Sequence, residues 1–148
     1  MKQTEQHKIS MDKKITEFIK EHHVLTITTA ADNQPYTANC FFIYNEESAS
    51  FIFTSDPKTR HGSEMLANNK VAANIVLETK AIGKIQGLQI TGTVEALSGS
   101  ADTKAKLKYL KSYPYAVLKL ETMWELKVNF FKLTDNRLGF GKKLLWER

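Results

Sequence analysis

Seven short runs of β-type sequence, most of them closed by a cluster of turn-forming residues, constrain this chain more than any other feature. The runs cover residues 24–29, 36–44, 49–54, 71–77, 85–97, 124–130 and the closing FGKKLLWER; the turns read ADNQP, NEES, ETKAIG and TDNRLG. The first three runs predict a meander. Trp124, Leu126, Val128 and Phe130 alternate as a half-buried strand does, and the pattern slips at Phe131. Gly92, between Ile90 and Val94, predicts a bulge or a close approach of two backbones. Helical patterns fall at 10–22, 64–69 and 98–112. In the first, Ser10 is the expected cap and Met11, Ile15, Phe18 and Ile19 form one apolar stripe ending near His22 and His23. Six or more antiparallel strands with two to four helices predict a mainly β fold, a barrel with α additions and no internal repeat.

A length of 148 residues fits one domain over 1–148, with the first ten residues expected to fray. With 42% hydrophobic and 25% charged residues, the composition is that of an ordinary globular chain. The N-terminal segment carries no apolar signal core, and no apolar run approaches the ~20 residues of a membrane span, so a cytoplasmic protein without membrane contact is expected. Cys40 is the only cysteine, which excludes an internal disulfide and a multi-cysteine zinc cluster. Its place in a strand-like run predicts a small buried core residue, with a reactive thiol as the alternative. The net charge of +5 suits nucleic acid, an acidic surface or a phosphorylated ligand and selects none of them. Lys104, Lys108 and Lys111 share one face at helical spacing, which reads as a solvated face; nucleic acid is not an expected partner.

The stretch FTSDPKTRHGSEMLANNKV reads as a strand, a polar turn and a short helix. Such a turn presents unpaired backbone N–H groups at a helix N-terminus, where an anion is favoured, and phosphate is the first candidate. Arg60 adds a forked donor set and Thr59 a hydroxyl; the alternative is that Thr59 only caps the helix while Arg60 and His61 face water. His22 and His23 are adjacent and diverge on a helix, and no matched ligand spacing supports a metal. Glu46 and Glu47 sit in a turn, with no carboxylate pair placed for acid and base work. GLQITG lacks the glycine spacing of a Rossmann unit or a P-loop. Trp124 reads as a core anchor or as a ring against a planar ligand.

Taken together, KTRH at 58–61, QGLQITG at 86–92, MWEL at 123–126 and FFKLTDNRLGFGKKLLW at 130–146 resemble the pyridoxamine 5'-phosphate oxidase-like, FMN-binding split-barrel superfamily, and within it a small bacterial group, the YhbP-like proteins. The resemblance covers nearly the whole chain. It implies a split β-barrel that binds FMN between the subunits of a homodimer and transfers two electrons from a nicotinamide to a small acceptor. It places the flavin phosphate on Lys58, Thr59, Arg60 and His61, with Thr54 and Ser55 contacting the flavin just before the turn. The backbone of Asn39, Cys40 and Phe41 would run beside the ring. Gln89 falls near a further family contact, Trp124 near a family tryptophan close to the cofactor, and Lys142 near a late basic residue that reaches the phosphate. A binding or sensing module for flavin, haem or a metabolite on the same scaffold is the alternative, with His22, His23 or His61 as haem contacts.

The chain departs from the family pattern at four places. Ala38 and Ile43 stand where the ring-side strand carries Arg and Lys, His61 replaces the lysine of the phosphate run, and Gly139 in Arg137-Leu138-Gly139 replaces a substrate-orienting His. Oxidation of pyridoxamine 5'-phosphate itself is therefore not expected.

Overall fold

The computed structural model describes residues 10–148, so the fraying expected of the first residues lies almost wholly outside them. The strands are β1 (Val24–Ala31), β2 (Gln34–Phe41), β3 (Ile43–Asn45), β4 (Ser50–Thr54), β5 (Lys70–Val76), β6 (Gln86–Ala96), β7 (Met123–Asp135) and β8 (Lys143–Glu147). They form one antiparallel sheet in the order β2-β1-β5-β6-β7-β4-β3, with β8 also paired to β7. Its two ends, β2 and β3, are consecutive in the chain. Phe42 alone separates them, so the strand leaves one edge of the sheet and enters the other, which curls the sheet into a split barrel. The single run expected over 36–44 is thus two strands. The break has a cause: the Phe42 N–H donates to the His23 carbonyl at 3.0 Å, its carbonyl accepts from the Tyr113 hydroxyl at 2.6 Å, and its buried ring packs edge-on against Phe51.

The slip at Phe131 marks a bulge. Thr91 lies opposite Phe130 and Gly92 opposite Val128, leaving Asn129 unopposed, so Phe131 rather than Phe130, which the alternation had placed inward, is the next residue turned into the core after Val128. Gly92 is required there because a Cβ at that position would sit 2.2 Å from the Lys127 carbonyl oxygen. Along β7, the first half pairs with β4 and the second with β8. The Arg148 guanidinium stitches the junction, donating to the carbonyls of Val128 at 2.7 Å, Ser48 at 2.7 Å and Ala49 at 3.1 Å.

Among the described residues, three α-helices complete the fold. In α1 (Lys13–Lys20), Asp12 is the cap in place of the expected Ser10, its carboxylate accepting from the Lys14 N–H at 2.9 Å, and Ile15, Phe18 and Ile19 are buried against the barrel core. Helix α2 (Arg60–Ala67) begins four residues before the expected 64–69, because Thr59 caps a first turn of poor intrinsic propensity, Arg60 to Ser63. Helix α3 (Gly99–Ser112) packs Ala105 and Tyr109 with Ile52 of β4 and Met123 of β7 and leaves Lys104, Lys108 and Lys111 exposed. Among the described residues, no helix is long and apolar enough to cross a membrane.

Candidate functional site

The turn between β4 and α2 is held from three sides. Below it, the Trp124 indole N–H donates to the Ser55 carbonyl at 2.9 Å. Beside it, the Thr54 hydroxyl donates to the Thr122 carbonyl at 3.2 Å and accepts from the Glu121 N–H at 3.1 Å. Within it, Asp56 accepts from the Lys58 N–H through its side chain at 2.8 Å and from the Thr59 N–H through its carbonyl at 3.1 Å. Gly62 lets the helix close on this turn, since a Cβ there would lie 2.4 Å from the Asp56 carbonyl oxygen. Rigid placement of this kind fixes donors before any ligand arrives.

Thr59 is fully spent on the cap: its hydroxyl donates to the Asp56 carbonyl at 2.7 Å and accepts from the Gly62 N–H at 3.1 Å. The N–H groups of Arg60 and His61, the next two in the first turn, have no partner among the described residues. Arg60 is held but not consumed. Its Nε donates to Glu64 at 3.0 Å, its guanidinium lies 4.1 Å from the centre of the Tyr36 ring, and its two terminal amino groups have no partner among the described residues. The Thr29 hydroxyl also donates to Glu64. That hydrogen bond first, and Arg60 second, hold the Glu64 carboxyl below the usual carboxylate range. The result is an arginine clamped along one edge, with its outer edge and two helix amides open to an anion.

Glu64, Tyr36 and Thr29 carry no role in the sequence reading. The Arg60–Glu64 spacing of four residues was a usable signal for one of them. Tyr36 and Thr29 reach the helix only because β1 and β2 fold beside it, which no local pattern announces.

His61 pairs through Nε2 with the Ser55 hydroxyl, and burial lowers its pKa from the ordinary 6.5 against the opposing pull of Glu64. The ring is neutral at pH 7. As pH falls through 6.5 the unfolded chain takes up a proton that the folded ring resists, so acid costs stability until the folded-state value is passed. Urea midpoints between pH 7 and pH 5 are expected to fall more steeply in the native protein than in His61→Gln. Parallel slopes would show that His61 ionises as it does in the unfolded chain.

The other expected site residues divide into two groups. Asn39 and Gln89 share one row across the outer face of the sheet, Asn39–Thr26–Asn74–Gln89–Lys132, in which the Thr26 hydroxyl donates to the Asn39 side-chain oxygen at 2.8 Å. Beside that row, Thr28, Ala72, Thr91 and Phe130 line a shallow depression of about 330 Å³. Phe41 ends the edge strand β2 with its ring 53% exposed. The other group stands apart. Cys40 is buried, which pushes its thiol pKa up to about 11, so only its backbone is available to a ligand. Trp124 is 0% exposed and sits as a core anchor beneath Ser55, the first of the two roles its sequence context offered. Lys142 is at the opposite end of the barrel from the turn: its carbonyl accepts from Asp135, which pairs with Gln86, whereas Trp124 under the turn pairs with Ala96. The ten intervening steps of β6 span roughly 33 Å, so Lys142 does not join the phosphate turn of its own chain.

The open donor set fits a phosphate-bearing cofactor. Comparison with known proteins agrees at the level of family: the family model described as pyridoxamine 5'-phosphate oxidase matches residues 11–134. The chain belongs to that family. A UPF0306 protein from Photorhabdus laumondii is 37% identical over 134 residues, covering 90% of this chain and 94% of the relative. Among solved structures of this split-barrel fold, a haem-binding protein from Mycobacterium smegmatis superimposes with a TM-score of 0.74 at 14% identity, covering 87% of this chain and 54% of that one. A FAD-binding protein from Mesorhizobium loti does so with a TM-score of 0.68 at 14% identity, covering 84% and 94%. At 14% identity these superpositions show a shared fold and nothing finer.

Proposed function

We propose that this family member binds FMN as a homodimer and acts as a flavin-dependent oxidoreductase fed by a nicotinamide. The observation that carries the reading is the open donor set of the 55–61 turn: the outer edge of the Arg60 guanidinium and the N–H groups of Arg60 and His61. On this reading those groups hold the phosphate and Lys58 adds positive charge at the rim. Thr59 and Thr54 shape the turn, while Ser55 and His61 are the polar side chains next in reach of the ribityl chain. The row from Asn39 to Gln89 takes the ring. Bound FMN would supply the two-electron chemistry.

A second copy completes the site. The exposed Val24, Val76 and Leu145 lie on strands whose outward rows are mostly polar, and an apolar seam of this kind suits a dimer interface. The partner's copy of the late basic residue Lys142 would then be the one near the phosphate. Haem is the second reading, favoured by the Mycobacterium smegmatis likeness. His61 is a poor haem contact because its Nε2 is paired with Ser55, whereas the Nδ1 of His22, 2.7 Å from the Phe18 carbonyl, leaves the His22 Nε2 open to an iron.

Denaturing the purified protein and identifying the released molecule tests the reading. Flavin absorption and a particle of twice the 16.9 kDa chain mass by light scattering are the expected results; a Soret band or a monomer at micromolar concentration would contradict it. No turnover of pyridoxamine 5'-phosphate is expected from the loaded protein. Gly139 has φ +134°, a conformation that a histidine resists, so the missing orienting side chain is a feature of the backbone as well as of the residue. Robust turnover of that compound would overturn this expectation.

A further inference from the structure

Helix α3 ends at Ser112, and the chain continues through Tyr113 into a short 3-10 segment, Pro114–Lys119. Between this segment and the end of β2 lies a groove of about 450 Å³ lined by Phe41, Tyr109, Tyr113, Pro114, Tyr115 and Ala116, with Ser112 at one side. Its size falls within the roughly 300–1,000 Å³ of small-molecule sites.

The groove is built from rings held in place. Tyr109 donates its hydroxyl to the Phe41 carbonyl at 3.3 Å and Tyr113 to the Phe42 carbonyl at 2.6 Å, so the polar ends of both tyrosines are spent on β2 and its exit. This fixes Tyr109 and Tyr113 with centroids 4.9 Å apart and Phe41 edge-on to Tyr113 at 5.5 Å. Burial pushes the Tyr109 phenol up to about 12, which keeps it neutral. None of the lining residues is charged. At the rim the Tyr115 ring is 88% exposed, a flat apolar surface.

These features select a ligand chemistry. Ring faces and edges favour another aromatic ring, placed offset or edge-on. A phosphate or carboxylate would lose its hydration there and gain no cation. Phe41 belongs both to this groove and to the strand that the flavin reading sets beside the ring. We propose that the groove binds the neutral, planar aromatic part of a substrate. Its role as a substrate subsite rests on the flavin reading; the binding of an aromatic ring does not.

Amide NMR on the full chain, titrated with 2-naphthol and with 2-naphthyl phosphate, tests the proposal. The expected result is that 2-naphthol moves the amides of Phe41, Tyr113, Tyr115 and Ala116. The phosphate ester should bind there at least about tenfold more weakly, because its charge has no partner. Phe41→Ala should weaken 2-naphthol about fivefold by removing one wall, and Arg60→Ala should leave it unchanged. If FMN fails to bind while 2-naphthol still does, the flavin reading falls and the groove stands. Equal binding of the two probes, shifts confined to other surfaces, or loss of 2-naphthol binding as protein concentration rises and a second copy covers the groove would each overturn the proposal.

Discussion

Replacing Arg60 by Ala is expected to weaken FMN binding while leaving riboflavin, which lacks the phosphate, nearly unaffected. Each charge-assisted hydrogen bond from the open guanidinium edge contributes about 1.5 to 3 kcal/mol, so the loss per bond is roughly ten- to a hundredfold in affinity. Glu64 deepens it. With the guanidinium gone, a carboxylate that now holds the Arg60 Nε at 3.0 Å becomes an uncompensated negative charge beside the phosphate site. Arg60→Ala combined with Glu64→Gln should therefore recover part of the affinity that Arg60→Ala loses. Arg60→Lys should also recover only part, because an ammonium supplies charge without the planar fork that can serve Glu64 and phosphate on separate edges. Fluorescence titration of flavin emission measures each of these proteins with FMN and with riboflavin. Equal losses for FMN and riboflavin would mean that Arg60 does not read the phosphate.

The second large effect lies under the turn. Trp124→Ala removes a fully buried indole from between β4 and β6, and core truncations of this size cost about 3 to 5 kcal/mol. Trp124→Phe keeps most of the packing and removes the hydrogen bond to the Ser55 carbonyl. Its stability cost should be about 1 to 3 kcal/mol, since a buried acceptor is left unpaired. FMN affinity should fall in Trp124→Phe although the side chain has no exposed atom, because the turn that aligns Arg60 and His61 loses its lower support. Urea unfolding and flavin titration separate the two effects. Unchanged FMN affinity in a folded Trp124→Phe protein would show that the turn holds its shape without the indole.

What could be read from the sequence, and what could not, follows the range of the interactions. The strands were legible because burial of one sheet face imposes a two-residue period, seen cleanly in the alternation of β5 and the first half of β7. Even the bulge was legible, since an unopposed Asn129 must displace the period and Gly92 must admit the Lys127 carbonyl. The turn before α2 announced itself through Thr59 and Arg60. Three things stayed hidden. The break at Phe42 depends on His23 and Tyr113, which are distant in the chain or on another element. The clamp on Arg60 depends on Tyr36 and Thr29, brought to the helix by the sheet. The separation of Lys142 from the phosphate turn depends on the length of β6, which places the two at opposite ends of the barrel.

The central claim is that the open donors of the β4–α2 turn hold the phosphate of FMN. An amide NMR titration of the full chain with FMN, followed through the N–H resonances of Arg60 and His61, tests it most directly. The account predicts that both amides move downfield together as FMN binds, and that riboflavin shifts the outer-face amides of Asn39 and Gln89 while leaving these two in place. FMN binding that leaves the Arg60 and His61 amides unmoved would contradict it.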